Sequence, residues 1–389
     1  MDFALPEEYL LLKQVVRRFV NEELIPLEEE VEEHNDVPPD KLAVLKKKAL
    51  DLGLYALNMP QEVGGGGLTT LGMCLVEEEL GKTMDALIRR VFGQVYEMLL
   101  ECKGDQRERY LYPTVRGEKI TCLALTEPNA GSDAASIETV AVRTGDHFVL
   151  DGRKHFISDG DIADYAIVFA VTDKALRARG GITAFLVDRG TPGFTVTRIQ
   201  PMMGHRGYHH AELVFEDCRV PAGQVLGEVG QGFKLVMTTL GRVRLAHIGA
   251  RAVGMAERLL ELARHHAQAR RQFGQPIADF QLVQAMLADS ATEAHATRLM
   301  VYNAAWDIDQ QRDARTKISM VKLYASEMQS RVVDRVLQIF GGMGFCKELP
   351  IERMYRDARV TRIYDGTSEI HRTIIARHLV KNGLPTVAS

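Results

Sequence analysis

The sequence predicts a mostly helical protein interrupted by one β-domain: helices over residues 1–117, strands over 118–228 and a helical bundle over 229–389. Three observations carry this. Apolar residues recur at helical spacing near the N-terminus, seven short β-rich runs crowd into about a hundred central residues, and three long Ala-, Leu- and Gln-rich segments follow.

In the first part, Leu10, Leu11, Val15, Phe19 and Val20 stand at helical intervals among Lys, Arg and Glu. Pro38-Pro39-Asp40 opens a second helix, with Asp40 expected as its cap and Leu42, Leu45 and Leu50 on one face. Four glycines, Gly64 to Gly67, break the pattern before a helix from about Leu68 to Leu80. In the middle part the runs TCLALT, ETVAVRT, HFVLDG, YAIVFAV, TAFLVD, FTVTRI and AELVFED are bounded by turn residues, as in a small antiparallel barrel or sandwich. Helices are predicted over about 232–269, 279–310 and 313–340, joined by short loops, as in an antiparallel bundle.

The chain of 389 residues is 46% hydrophobic and 26% charged, with a formal net charge of −4. That balance gives no general attraction to nucleic acid or anionic membrane. The five cysteines are scattered without a CxxC pair, which argues for reduced thiols rather than a disulfide framework or zinc ribbon. The start, MDFALPEEYLLLKQ, lacks the basic and apolar regions of a signal peptide, and no run approaches the ~18 apolar residues of a membrane span. A cytoplasmic protein without membrane insertion is expected. His205, His209 and His210 lie close together, but their spacing matches no metal motif and no metal is expected.

Four motifs carry chemistry. Leu125-Thr126-Glu127-Pro128-Asn129-Ala130-Gly131-Ser132-Asp133 turns out of a strand with polar groups free to meet a ligand. Arg270-Arg271-Gln272-Phe273-Gly274-Gln275-Pro276-Ile277 ends a long helix in a basic, Gly-broken turn. Gln338-Ile339-Phe340-Gly341-Gly342-Met343-Gly344-Phe345 ends another in a Gly-rich bend. Arg359 to Ile370, containing Tyr364-Asp365-Gly366-Thr367-Ser368-Glu369, precedes a final helix that Thr367 or Ser368 could cap. Read alone, each is an ordinary turn or cap.

Together, in this order and at these separations, they resemble the acyl-CoA dehydrogenase family over nearly the whole chain. Gly204-His205-Arg206 with Val214-Phe215-Glu216-Asp217, and Gly227 to Phe233, add weaker matches. The resemblance implies an N-terminal helical domain, a central β-domain and a C-terminal four-helix bundle. It also implies a homotetramer, or in some relatives a dimer, with FAD partly held by a neighbouring subunit. The activity implied is α,β-dehydrogenation of an acyl-CoA thioester, with an electron-transferring flavoprotein as acceptor. The same scaffold also serves lyases, reductases and oxidases, including an oxidase of small nitro compounds with Asp at the base position, and could serve a catalytically silent binding protein.

By the same resemblance Asp365 is the base for the α-proton, where the family more often has Glu. Relatives that place the base near Arg244 would have it at Val243, which cannot act as one. Leu125 and Thr126 match the isoalloxazine edge, Ser132 the pyrophosphate or CoA, and Phe156 and Ser158 the residues flanking the flavin ring. Arg270, Gln272 and Phe273 would reach FAD across the subunit interface, Gln338, Gly341 and Gly342 would hold its adenosine half, and Thr367 and Glu369 its pyrophosphate end. Arg242, Arg244, Tyr364 and Gly366, with Ser132, are the expected substrate contacts, although Gly241 replaces a common Asp. Arg89 and Arg90 interrupt a helix that lines the acyl tunnel in the family; a surface or subunit-interface position is the simpler expectation.

Overall fold

The computed structural model describes residues 4–385, so Met1–Phe3 of the opening motif and Thr386–Ser389 of the last domain lie outside it. The first part holds α1 (Glu7–Phe19), α2 (Glu28–His34), α3 (Pro39–Asp51), α4 (Thr70–Leu80), α5 (Asp85–Phe92) and α6 (Tyr112–Val115). Asp40 does not cap α3: the cap position is Pro38, and Asp40 sits in the first turn, where its charge faces the helix dipole. Leu45 is buried, whereas Leu50 is largely exposed.

Helix α4 is buried along most of its length although it carries three consecutive glutamates. Each is neutralised by cations from other elements: Glu77 by Arg251, Glu78 by Lys13 and Arg298, and Glu79 by Arg17 and Lys82. Its N-terminus is held twice. Thr69 accepts from the Gly72 N–H at 3.1 Å, and Asp309 accepts from Thr70 and Leu71 at 2.7 and 3.0 Å. Glu28, buried in the first turn of α2, binds Arg258 and Arg353 at 2.6 Å and the Thr83 hydroxyl at 2.8 Å. These ion pairs stitch the first part to the last.

The middle part forms an eight-stranded sheet: β1 (Thr121–Ala124), β2 (Val140–Thr144), β3 (His147–Ser158), β4 (Tyr165–Val171), β5 (Ile182–Asp188), β6 (Phe194–Ile199), β7 (His210–Pro221) and β8 (Val225–Leu226). The order is β6-β7-β3-β2-β4-β5-β8. Most pairs are antiparallel, as expected, but β1 runs parallel to β4 with Thr121 opposite Tyr165, and β2 meets β4 in a parallel bridge. β4 and β5 are buried on both faces. Ala166, Val168 and Phe185 meet Phe148 on one side, while Ile167, Phe169 and Leu186 meet Met98, Leu99 and Tyr110 on the other. This double burial explains their continuous apolar runs.

In the last part, α7 (Gly232–Val243) continues through a π-helical segment, Arg244–Ala250, into α8 (Arg251–Ala269). A short hairpin of β9 (Arg271–Gln272) and β10 (Gln275–Pro276) leads to α9 (Gln281–Asp309), α10 (Arg315–Phe340), α11 (Gly342–Phe345), α12 (Ile351–Val360) and α13 (Ser368–Asn382). Small residues let α8, α9 and α10 approach closely, with Ala256, Ala263 and Ala294 packed against Val332 and Val336. α12 and α13 lie on α10. No helix among the described residues is long and apolar enough to cross a membrane.

Candidate active site

The turn between α12 and α13 sets the position of Asp365. Its backbone is left-handed, at φ 54°, a conformation Asp tolerates better than most residues. Gly366 follows at φ 94°, and a Cβ there would stand 2.9 Å from His371 Nε2, so only glycine fits. Thr367 caps α13 by accepting from Ile370 N at 3.2 Å, which leaves the Asp365 carboxylate free of a capping role. Arg244 Nε donates to the Asp365 carbonyl at 2.7 Å, and Lys322 Nζ donates to the Gly366 carbonyl. His371 Nε2 lies 3.2 Å from the Asp365 carbonyl. The turn is therefore held by its backbone, and the carboxyl projects from a fixed point.

Burial raises the Asp365 pKa above its ordinary value, while Arg244, Lys322 and Arg89 pull it back and Asp85 adds to the rise. Lys322 is fully buried, and burial lowers its own pKa to about 8. Arg244, expected at the pantetheine or nucleotide end of CoA, is thus seen holding the Asp365 turn. It is the first residue of the π-helical segment, an irregularity that recurs at functional sites.

A cavity of about 100 Å³ is lined by Val243, the neighbour of Arg244 in the chain. Leu57, Val76, Ile88 and Phe92 line one side, and Arg242, Val243 and Ala246 the other. Asp365 is not part of the wall, but two links join it to the cavity: Arg244 follows Val243, and the Asp365 charge acts on Tyr96, which lines it. Arg242, at the same wall, lies 3.5 Å from Glu97. Tyr364 lines a separate, smaller cavity with Asp85 and Arg251.

The expected surface position of Arg89 and Arg90 is wrong. Arg90 is buried and Arg89 nearly so, both against Asp159 at the end of β3: Arg89 Nη2 lies 2.6 Å from Oδ2, and Arg90 Nη1 lies 3.0 Å from Oδ1. A carboxylate from the β-domain lets two guanidinium groups sit in an otherwise apolar helix. That partner lies 70 positions beyond Arg89 in the chain, and no local pattern around Asp159 signals its role.

In the β-domain, Lys154 is fully buried. Its Nζ donates to Glu127 Oε1 at 2.7 Å and to the Leu125 carbonyl at 3.1 Å, and burial lowers its pKa to about 8. Glu127 also accepts the Thr139 N–H at 3.0 Å, and His155 N donates to the Thr126 carbonyl at 2.8 Å. Leu125 and Thr126 are thereby fastened beside Phe156 and Ser158. Phe156 is 49% exposed on a left-handed backbone, an aromatic ring left open at this edge. Ser132 is exposed on the same loop. Near Thr367, Arg362 Nε and Ser368 Oγ are buried without a hydrogen-bond partner among the described residues. Glu369 is exposed beside them.

Arg270, Gln272 and Phe273 lie on and before the β9–β10 hairpin and are exposed, Phe273 at 94%. Gln338, Gly341 and Gly342 are exposed at the end of α10, and a Cβ at either glycine would meet only open space. His266 stacks on Phe340 at 4.1 Å, which brings these two segments to the same end of the bundle. Gln338 is 16 residues beyond Lys322 on α10, about 24 Å along the helix axis. This set is therefore remote from the Asp365 turn of its own chain.

Two of the three histidines have separate partners and the third is buried. His205 Nδ1 meets the Tyr208 hydroxyl at 2.6 Å and His209 Nδ1 meets Asp161 at 2.7 Å, while burial lowers the His210 pKa to about 3. The carboxylates of Glu78, Glu79 and Glu257 converge, but Lys13, Arg17, Lys82 and Arg298 already surround them.

Residues 6–118, 122–218 and 230–380 match family models described as the acyl-CoA dehydrogenase N-terminal, middle and C-terminal domains. An acryloyl-CoA reductase (NADH) from Anaerotignum propionicum is 40% identical, covering 98% of this chain and 96% of its own. The short-chain specific acyl-CoA dehydrogenase of human mitochondria is also 40% identical, covering 97% and 91%. The butyryl-CoA dehydrogenase structure from Megasphaera elsdenii superposes with a TM-score of 0.89 at 34% identity, covering 98% and 100%.

Proposed function

The chain belongs to the acyl-CoA dehydrogenase family, and we propose that it is an FAD-dependent enzyme converting an acyl-CoA thioester to the 2-enoyl-CoA, with Asp365 as base. One observation carries the assignment of the base. Asp365 is a carboxylate with no capping duty, raised in pKa by burial, on a turn held by Arg244 and Lys322 and linked through Val243 and Tyr96 to a cavity of about 100 Å³. A base works best when its pKa approaches the working pH, and burial moves Asp365 that way. Arg244 and Lys322 oppose the rise. Val243 at the cavity wall offers no competing base. Asp is shorter than Glu by one C–C bond, ~1.5 Å, so the α-carbon must come correspondingly closer.

Bound FAD supplies the acceptor for the hydride leaving the β-carbon. The residues present suit it. Thr126, Phe156 and Ser158 form a partly open edge beside the buried Leu125, with an exposed aromatic for the ring, and Ser132, Thr367 and Glu369 offer polar groups toward the pyrophosphate. Arg270, Gln272, Phe273, Gln338, Gly341 and Gly342 are assigned to the FAD of a neighbouring subunit. Their exposure and their distance from the Asp365 turn of the same chain support that. A homotetramer or dimer follows. Arg242, Tyr364 and Gly366 complete the acyl-CoA contacts, and an electron-transferring flavoprotein is the proposed acceptor.

A second reading runs the same site backwards as an enoyl-CoA reductase. The similarity to the acryloyl-CoA reductase favours it, as does the raised Asp365 pKa, because a protonated carboxyl could return a proton to the α-carbon. The test is anaerobic mixing of the yellow protein with a panel of acyl-CoAs. Bleaching of the flavin supports dehydrogenation. Absence of bleaching by every acyl-CoA, with reoxidation of the reduced enzyme by 2-enoyl-CoAs, would establish the reductase. A colourless protein that takes up no FAD would refute both.

A further inference from the structure

The cavity lined by Val243 and Tyr96 has an apolar wall of Leu57, Val76, Ile88 and Phe92 and a cluster of polar groups at one end. There, hydrogen bonds and ion pairs form a continuous chain. Asp159 binds Arg89, and Arg89 donates to Gln94 Oε1. Gln94 Nε2 faces His247 Nδ1 at 3.5 Å, and His247 Nε2 lies 3.4 Å from Glu77. Glu77 in turn binds Arg251 at 2.5 Å, and Arg251 binds Asp85. Arg89, Gln94, His247, Glu77 and Arg251 all line the cavity. A hydrocarbon tail reaching this end would strip water from these polar groups and return nothing.

The volume is also small. An apolar cavity of ~150 Å³ holds one benzene, and this one is about 100 Å³. Only a few carbons of an acyl chain fit before the polar end is met.

The chain of contacts identifies what that end can bind. Its cations are already paired: Arg89 and Arg90 share Asp159, and Arg251 is held by Glu77 and Asp85. The positive charge left over at Arg89 and Arg90, two guanidinium groups on one carboxylate, lies on the Asp159 side of Gln94 rather than at the gap beside His247. The weak links lie in the middle, at 3.5 and 3.4 Å on either side of His247. Because Arg89 holds Gln94 Oε1, the Gln94 amide nitrogen is the donor facing His247. That makes Nδ1 the lone-pair nitrogen and puts the ring proton on Nε2, toward Glu77. Burial disfavours the charged form of the His247 ring. A donor and an acceptor thus stand side by side without net charge, the complement of a hydroxyl group.

We propose that this cavity selects short acyl groups carrying a neutral hydrogen-bonding substituent beyond the β-carbon, a hydroxyl above all, seated between Gln94 and His247. The proposal rests on the acyl-CoA reading of the site and names its substrate class. Gln94 and His247 are the specificity-determining residues.

The test uses the FAD-loaded protein, anaerobic flavin reduction and a matched pair: 5-hydroxypentanoyl-CoA and hexanoyl-CoA, in which a methyl replaces the hydroxyl. Glutaryl-CoA and octanoyl-CoA extend the panel. One net neutral hydrogen bond corresponds to roughly a fivefold preference in kcat/KM for the hydroxyl. Gln94→Leu and His247→Leu are expected to bring the ratio of the pair to about one or below. Equal or better reduction by hexanoyl-CoA or octanoyl-CoA in the wild type overturns the proposal and leaves the dehydrogenase reading intact, as does a preference for glutaryl-CoA. The wild-type comparison decides this even if a variant does not fold. Failure of every acyl-CoA to bleach the flavin removes both.

Discussion

Replacing Asp365 with Asn separates chemistry from architecture at the turn between α12 and α13. The restraints on that turn act on its backbone: Arg244 on the Asp365 carbonyl, Lys322 on the Gly366 carbonyl and the Thr367 cap on α13. None requires the carboxylate. Asn also tolerates the left-handed backbone at φ 54°. Assembly and flavin content should therefore match the wild type. Stability should not fall either. The folded-state pKa of Asp365 is raised, so its ionised form is penalised at neutral pH, and a neutral amide escapes that penalty. A positioned base is worth roughly 10² to 10⁴ in rate, or about 3–5 kcal/mol of barrier. Stopped-flow reduction of the flavin by a reactive acyl-CoA, under anaerobic conditions, measures the loss directly. Asp365→Glu should keep activity with an altered chain preference, since its carboxylate reaches ~1.5 Å further. Wild-type bleaching by Asp365→Asn would show that another group removes the α-proton.

Other perturbations test the surrounding design. Lys322→Met removes a charge that holds the Asp365 pKa down, so the acid limb of the kcat/KM profile should move to higher pH; an unmoved limb would detach Lys322 from the base. In the wild type the rate should fall as the pH drops through the raised Asp365 pKa, because the carboxyl is then protonated. Lys154→Met leaves Glu127 buried without its cation and should cost about 3–5 kcal/mol, seen as a lower melting temperature and weaker flavin retention. Adding Glu127→Leu should recover much of the stability, and no recovery would show that the pair is not the cause. Arg270→Ala should lower both FAD retention and assembly by removing charge-assisted hydrogen bonds to a neighbour's cofactor. Unchanged gel filtration and flavin content would remove the cross-subunit role.

The helical and strand segments are legible because their periodicity is local. The predicted helices at 279–310 and 313–340 differ from α9 and α10 by at most two residues at either end. Other features depend on distant partners. The parallel pairing of β1 with β4 leaves no local mark, and an apolar run such as Tyr165–Val171 does not say that both faces are covered. The Asp365 turn is legible through its motif, but Lys322 and Lys154 are not, because a lysine in a sequence reads as solvated. Their burial is visible only once Gly366 and Glu127 are in place. Arg89 misleads for the same reason. Its meaning lies in Asp159 on one side and in Gln94, His247 and Glu77 on the other, and His247 comes from a different domain.

The double hold on the N-terminus of α4 also governs the order in which the protein can mature. Thr69 is available at once, but Asp309 lies 239 residues beyond Thr70. Glu28 waits for Arg258 and then for Arg353, which is 325 positions away. During synthesis Lys13, Arg17 and Lys82 are at hand for Glu78 and Glu79, but Glu28 and Glu77 emerge before the arginines that bind them. Contacts of such long range close slowly because the intervening loop must first be ordered. The cavity wall that α4 forms with Val76 and Glu77 is thus fully held only after α8 and α9 dock. A ribosome-bound chain truncated before Asp309 holds the cations for the α4 glutamates, yet leaves the Thr70 and Leu71 N–H groups to water.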